Sequence, residues 1–178
     1  MKKYGYLKEW EVISRAVYNL DSLPAATISL KRSNPSDNTL RDNLRDLMAK
    51  SRRILYIAVQ IIDTSYMNEI IDAAKRNVDV RVIVGRWDPA WTHGRDRKGI
   101  AIESFLKEGI RIRLKKDFHV RMIVVDDNLF VGSLDLDAQG LSAHDNLTIE
   151  TTDITTLSRA REIFLELENT SEIMKNPG

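Results

Sequence analysis

Alternating apolar and polar positions divide the chain into short strands and amphipathic helices. Residues 54–61 form a nearly continuous apolar run, which is typical of a strand buried on both faces. Residues 78–84 alternate and residues 110–114 are mostly apolar, so two more strands are predicted there. Helical spacing of apolar residues at 67–74 and at 102–106 places one helix between each pair of consecutive strands.

The second half of the chain predicts antiparallel strands followed by a helix. Residues 119–125 and 129–131 are predicted as two strands of a hairpin that turns at 126–128. A further strand is predicted at 147–150 and a final helix at 155–167. Because strands alternate with helices before the hairpin, the fold class is α/β, with a mixed β-sheet flanked by helices.

The N-terminal part adds a helix and an edge strand. Residues 7–20 carry an apolar stripe at helical spacing, made of Trp10, Ile13, Val17 and Leu20. Residues 26–31 alternate weakly and are predicted as an edge strand. With 178 residues and no internal repeat, we expect a helical extension at 1–25, one domain at 26–172 and a tail at 173–178.

Composition limits which binding partners and which cellular compartment are expected. The formal net charge is +1, so any surface that binds nucleic acid must be local. Cysteine is absent, which excludes disulfides and a cysteine nucleophile and is compatible with a reducing compartment. Lys2 and Lys3 are not followed by an apolar core, and no apolar run is long enough to cross a bilayer. We therefore expect a cytoplasmic protein without a membrane partner.

The richest chemistry lies in the stretch HVRMIVVD and after it. On a strand, His119 and Arg121 point to the same face, so an imidazole and a guanidinium lie side by side. This pair suits a phosphodiester, because it combines a nitrogen nucleophile with a fixed cation for phosphoryl oxygens. Glu150, on a separate strand, is placed to orient the imidazole, and Gly132-Ser133 offers a backbone amide and a hydroxyl.

These residues resemble the phospholipase D superfamily, which carries HxKxxxxD, then GSxN, then an acidic residue. His119, Asp126, Gly132-Ser133 and Glu150 occur in that order. The resemblance covers about residues 26–170, and in size and layout the chain is similar to the single-motif bacterial endonucleases of the superfamily. It implies a phospholipase D-like fold and a cofactor-free, metal-free mechanism.

In that mechanism one histidine attacks phosphorus to form a phosphohistidine, a second protonates the leaving group, and water releases the product. Because this chain has one motif, the resemblance also implies a homodimer with two His119 residues across a two-fold axis.

Two positions depart from the family pattern. Arg121 stands where the motif has lysine, and Asp135 stands where GSxN has asparagine. The family pair contributes one positive charge, whereas Arg121 and Asp135 sum to zero. A carboxylate about 4 Å from a phosphate oxygen repels it by roughly 1 kcal/mol in water and about 4 kcal/mol at an effective dielectric of 20. We hypothesise that Arg121 and Asp135 form a salt bridge that occupies the phosphate-binding cation.

Residues around the motif supply the predicted binding surface. Arg86, Trp87 and Trp91 follow a predicted core strand, where they could stack a base or grip a phosphate backbone. The alternative is a solvated loop whose tryptophans pack on the domain or on a second copy. Asp135 and Asn146 are further candidates for contact with a substrate. His93 and His144 show no metal-ligand spacing with acidic residues, so no metal site is expected.

Two functions remain open at this stage. The first is a nuclease-like phosphodiesterase acting as a homodimer, in which His119 is the nucleophile, Arg121 anchors phosphate and Glu150 orients the histidine. Asp126 and Ser133 support that site, although Asp126 could instead only initiate the hairpin. The second is a ligand-binding or regulatory domain without catalysis, as in archaeal sugar-sensing transcription regulators of the TrmB type, which fits the changes at Arg121 and Asp135.

Overall fold

A computed structural model describes residues 26–34, 36–85, 96–138 and 144–175. In chain order, these ranges form the elements β1 (Ile28–Ser33), α1 (Thr39–Lys50), β2 (Ile54–Val59), a 3₁₀ turn (Thr64–Tyr66), α2 (Met67–Lys75), β3 (Asp79–Val84), α3 (Arg97–Lys107), β4 (Arg111–Leu114), β5 (Met122–Val125), β6 (Asn128–Gly132), β7 (Asn146–Thr151), α4 (Ile154–Asn169) and β8 (Glu172–Ile173). The predicted helix at 7–20 lies outside the described residues.

The strands form one mixed sheet in the order β1-β7-β6-β5-β2-β3-β4-β8. Strands β2, β3 and β4 are parallel to one another, and β5 is antiparallel to β2. The hairpin of β5 and β6 continues the sheet through β7 to β1, which lies at one edge, as predicted. The predicted α/β class with a mixed sheet is therefore confirmed.

Apolar side chains fill both faces of the sheet. One buried cluster joins the sheet to α1, α2 and α3, and it includes Leu44, Ile57 and Phe105. A second cluster lies under α4, where the rings of Tyr56 and Phe164 stack with centroids 4.8 Å apart. Because neighbouring residues of β2 enter opposite clusters, that strand is buried on both faces, as its continuous apolar run predicted.

Several element boundaries differ from the predictions, most visibly at α3, β5 and β8. Helix α3 begins at Arg97, before the predicted start at 102, because the Asp96 side chain accepts a hydrogen bond from the Lys98 amide (2.8 Å) and caps the helix. Strand β5 begins only at Met122, so Arg121 lies just outside the assigned ladder, although its carbonyl still accepts from the Gly132 amide (3.3 Å). Strand β8 extends the sheet to Ile173, one residue into the predicted tail.

The turn between β5 and β6 fastens the start of β2. Asp126 has a positive φ of 47°, and its carboxylate accepts hydrogen bonds from the backbone amides of Arg52 (2.9 Å), Arg53 (2.9 Å) and Ile54 (3.0 Å). Asp126 thus follows one end of β5, whereas His119 precedes the other end, so the whole strand of about 13 Å lies between them in sequence. These contacts give Asp126 a role in holding the fold, and a supporting role in catalysis stays a prediction.

The same contacts set the protonation of this carboxyl group. Burial by itself raises the pKa of Asp126, but the amides of Ile54, Arg52 and Arg53 outweigh it and hold the pKa below its ordinary value. The folded state therefore favours the carboxylate, and its contribution to stability is lost as pH falls through that lowered pKa.

We expect Asp126→Ala to lower the free energy of unfolding by about 2 kcal/mol, because the three amides lose a charged acceptor. Asp126→Asn should cost less, since asparagine keeps one acceptor oxygen and tolerates a positive φ. Urea unfolding at several pH values measures both effects, and the difference between wild type and Asp126→Asn should shrink from about pH 6 to about pH 2.

Asp127→Ala is the matched control for the neighbouring exposed carboxylate, which pairs only at the surface with Arg53 and Arg161 among the described residues. This variant should change stability by less than about 1 kcal/mol. An equal loss in Asp126→Ala and Asp127→Ala would contradict the assigned role.

Candidate functional site

The candidate site lies where β2 and β3 end. Because β5 is antiparallel to β2, the segment before β5 arrives at this edge, and so does the segment that follows β6. A cleft of about 370 Å³ opens here, lined by Gln60, Gly85, Asp117, Phe118 and His119. Ligands of open α/β sheets bind at the carboxyl ends of the strands, so the cleft has the expected location for a site.

His119 and Arg121 are neighbours, as predicted. The Arg121 Nη1 atom is 3.3 Å from His119 Nε2, and the histidine is exposed at the cleft. Because a guanidinium is always protonated and only donates, Nε2 must accept in this arrangement. This contact corresponds to the tautomer with its proton on Nδ1.

The predicted salt bridge between Arg121 and Asp135 is confirmed. Asp135 Oδ2 lies 2.9 Å from Arg121 Nε and 2.8 Å from Nη2, and the two side chains are 15% and 14% exposed. Arg121 Nη2 also donates to Gln60 Oε1 at 2.9 Å. All three nitrogens of the guanidinium are therefore hydrogen-bonded within the protein, and its charge is balanced by a carboxylate held beside it.

Asp135 is itself fixed by the backbone. Its second oxygen, Oδ1, accepts hydrogen bonds from the amides of Gln60 (2.9 Å) and Ile61 (3.1 Å) just after β2. The Leu136 amide donates to the Ile61 carbonyl at 3.2 Å and ties the same two segments together. Asp135 therefore cannot swing away from Arg121 without releasing the end of β2.

Ser133 and Asn146 join the end of β6 to the start of β7. The Ser133 hydroxyl accepts from the Leu147 amide (3.1 Å) and donates to Asn146 Oδ1 (3.3 Å), and the Asn146 side chain is buried. Gly132 allows this contact, because a Cβ on it would lie 2.1 Å from the Leu147 carbonyl oxygen. Both predicted residues lie at the site edge, where their hydrogen bonds hold the two strands together.

Glu150 has polar partners on two neighbouring elements. Its carboxylate lies 3.3 Å from Asn43 Nδ2 of α1 and 3.6 Å from Lys31 Nζ of β1. In the sheet Glu150 pairs with Phe130, in the interior of β7. It therefore contacts α1 and β1 among the described residues, and its role in orienting His119 stays a prediction. Arg86, Trp87 and Trp91 lie outside the described residues.

Sequence reasoning missed two residues that shape the site. The side chain of Gln60 accepts a hydrogen bond from Arg121, and its backbone amide donates to Asp135. In the sequence, Gln60 is recognisable as the polar residue that interrupts an apolar run. Asp63 is buried, and its Oδ2 accepts from Arg97 Nε (3.2 Å) and from the Ala138 amide (3.0 Å). It thereby fastens the loop after Asp135 to the start of α3.

A family model described as the cardiolipin synthase, PLD-like domain matches residues 44–168. The chain belongs to this phospholipase D-like family. Among curated proteins no sequence matches it. Within the residues described, no helix is long and apolar enough to cross a membrane, and no group of three or more His, Asp or Glu side chains is arranged to hold a metal.

Solved structures share the phospholipase D-like fold. Nuc, a phospholipase D family member from Salmonella typhimurium, has a TM-score of 0.72 at 16% identity, over 84% of this chain and 99% of that chain. NucT from Helicobacter pylori has a TM-score of 0.72 at 15% identity, over 84% and 99% of the two chains. TrmBL2, described as an archaeal chromatin protein with a novel mode of DNA binding, has a TM-score of 0.61 at 16% identity, over 95% of this chain and 63% of that chain.

Gly85 should be required for the position of His119. A Cβ on Gly85 would lie 2.7 Å from the Phe118 carbonyl oxygen and 2.9 Å from its ring. Gly85→Ala should therefore push residues 118–119 outward and lower the free energy of unfolding by about 1–3 kcal/mol. Chemical denaturation and the His119 ring signals in NMR measure the two effects, with Lys116→Ala as an exposed control. Unchanged stability and unchanged ring signals in Gly85→Ala would contradict this assignment.

Proposed function

We propose that this phospholipase D-like domain binds a ligand at the His119 edge without hydrolysing a phosphodiester, and serves as a regulatory domain. The observation that carries the proposal is the ion pair of Arg121 with Asp135, completed by Gln60 and His119. The cation that would grip phosphate is already bound within the protein.

Electrostatics disfavour an incoming phosphate. To reach Arg121, a phosphoryl oxygen has to replace Asp135 or Gln60 and then lies close to a carboxylate that the backbone amides hold in place. Repulsion by that carboxylate amounts to roughly 1 kcal/mol in water and more where solvent is excluded. A ligand without a negative charge does not meet this repulsion.

His119 is also poorly arranged to act as a nucleophile. Attack on phosphorus needs the Nε2 lone pair of His119, but the Arg121 guanidinium donates to it. A carboxylate that orients the ring would favour attack. Among the described residues, Glu150 bonds to Asn43 and Lys31, and Asp135 bonds to Arg121, so neither carboxylate supports His119.

The second candidate is a nuclease-like phosphodiesterase that works as a homodimer through a phosphohistidine. Two observations favour it: His119 is exposed at the cleft, and its ring lies beside a guanidinium. This function needs Arg121 to leave Asp135 for the substrate and a second His119, from another copy, to protonate the leaving group. The substrate in that case is a phosphodiester, with nucleic acid favoured.

A phosphodiesterase assay separates the two functions. Purified protein and His119→Ala are incubated in EDTA with a chromogenic phosphodiester, single-stranded DNA and duplex DNA, at concentrations where the oligomeric state has been measured. We expect no cleavage above background with either protein. Metal-independent cleavage that disappears in His119→Ala would instead establish the phosphodiesterase.

Asp135→Asn should release Arg121 for an anion. The asparagine Oδ1 can still accept from the Gln60 and Ile61 amides, while its NH₂ group faces the guanidinium and cannot accept from it. Removal of the negative charge should strengthen binding of a dinucleotide by about fivefold or more, since roughly 1 kcal/mol of repulsion is lost. Calorimetric titration of wild type and variant measures this change.

Asp145→Asn is the matched control, because Asp145 pairs with Arg32 at the exposed start of β7 (2.8 Å). Its affinity for the dinucleotide should stay near that of wild type. If Asp135→Asn binds no better than Asp145→Asn, the ion pair is not what excludes phosphate.

A further inference from the structure

Within the described residues, one part of the sheet has no helix packed over it. Helix α4 covers the face formed by β2, β3 and β5, but it does not extend over β1, β7 and the end of β6. On these three strands five apolar side chains are between 43% and 75% exposed: Ile28, Leu30, Val131, Leu147 and Ile149. We refer to these five residues as the uncovered apolar patch.

The strand register makes the patch continuous. Leu30 pairs with Ile149, and Ile149 pairs with Val131, so these three side chains form a row across neighbouring strands. Ile28 and Leu147 lie two residues from this row along their own strands, and side chains two residues apart share a face. A contiguous apolar surface of this kind marks a contact that is missing from the described residues.

The sequence supplies a matching surface directly before β1. Residues 1–25 lie outside the described residues, and their sequence carries apolar side chains at steps of three and four, at Trp10, Ile13, Val17 and Leu20. Val12 and Ala16 flank this stripe and make it broad enough for a sheet rather than a narrow coiled-coil seam. The opposite side carries Lys8, Glu11 and Arg15, a mixture suited to water.

We propose that residues 7–20 form a helix whose apolar stripe packs on the uncovered apolar patch of the same chain. A helix of that length extends about 21 Å, enough to cross the three strands. Residues 21–27 separate it from Ile28 and can span up to about 25 Å, so the connection permits a return over the sheet. Covalent attachment gives this segment a high effective concentration at the patch, which favours it over a second copy.

Introduced cysteines can test this contact in the full chain, because the protein has none of its own. The variant Val17→Cys/Ile149→Cys is treated with a short bis-maleimide, and the products are separated by mass. We expect an intramolecular link at the mass of one chain. The matched control is Val17→Cys/Ile173→Cys, since Ile173 is an exposed isoleucine on β8 at the opposite edge of the sheet, and it should not form this link.

A mixture of the two single variants, Val17→Cys and Ile149→Cys, distinguishes a second copy as the occupant. No linked pair should form between them. A link found only at the mass of two chains overturns the proposal in favour of an exchanged helix or a dimer. Equal linking of Ile149 and Ile173 to position 17 overturns it in favour of an unpacked segment.

A stability measurement gives a second, independent readout. Val17→Asp in the full chain should lower the melting temperature by several degrees and increase the binding of an apolar dye. Arg15→Asp, on the opposite side of the same pattern, should change neither. Equal behaviour of the two variants overturns the proposal even if both proteins fold.

Discussion

The arrangement of the site depends on the ion pair between Arg121 and Asp135. This pair joins three segments that are distant in sequence: the residues before β5, the residues after β6 and the residues after β2. One carboxylate oxygen of Asp135 accepts hydrogen bonds from two backbone amides, and the other accepts from the guanidinium of Arg121. The same carboxylate therefore shapes the end of the sheet and neutralises the cation.

The two ends of the sheet serve different purposes. At the end where β2 starts, Asp126 accepts three backbone amides and fastens the hairpin to that strand. At the end where β2 stops, polar side chains surround a cleft and His119 reaches solvent. A motif that looks like one catalytic cluster in the sequence is thus distributed along β5, with its histidine at one end and its aspartate at the other.

Much of the fold could be predicted from the sequence, because local patterns determine it. The continuous apolar run of β2 and the alternation of β3 reflect burial, and the parallel and antiparallel halves follow from the order of helices and hairpins. The ion pair of Arg121 and Asp135 could be predicted as well, since two departures from the family pattern had opposite charges. The contacts of Glu150 with Asn43 and Lys31 could not be predicted, because they depend on the register of β7 against β1 and β6, which the order of residues does not contain. Gln60 is visible in the sequence as a polar residue at the end of an apolar run. Its contact with Arg121 could not be predicted, because it forms only where the end of β2 meets the segment before β5.

The contacts of Asp135 with Arg121 and with the amides of Gln60 and Ile61 couple any changes at positions 121 and 135. Arginine-to-lysine replacement at position 121 alone removes the forked partner of Asp135 and leaves a mostly buried carboxylate poorly matched. Aspartate-to-asparagine replacement at position 135 keeps the oxygen that the amides require. That replacement nevertheless leaves the mostly buried guanidinium without its carboxylate, so either single change breaks a matched pair and the lysine and asparagine of the family pattern have to arise as a coupled change.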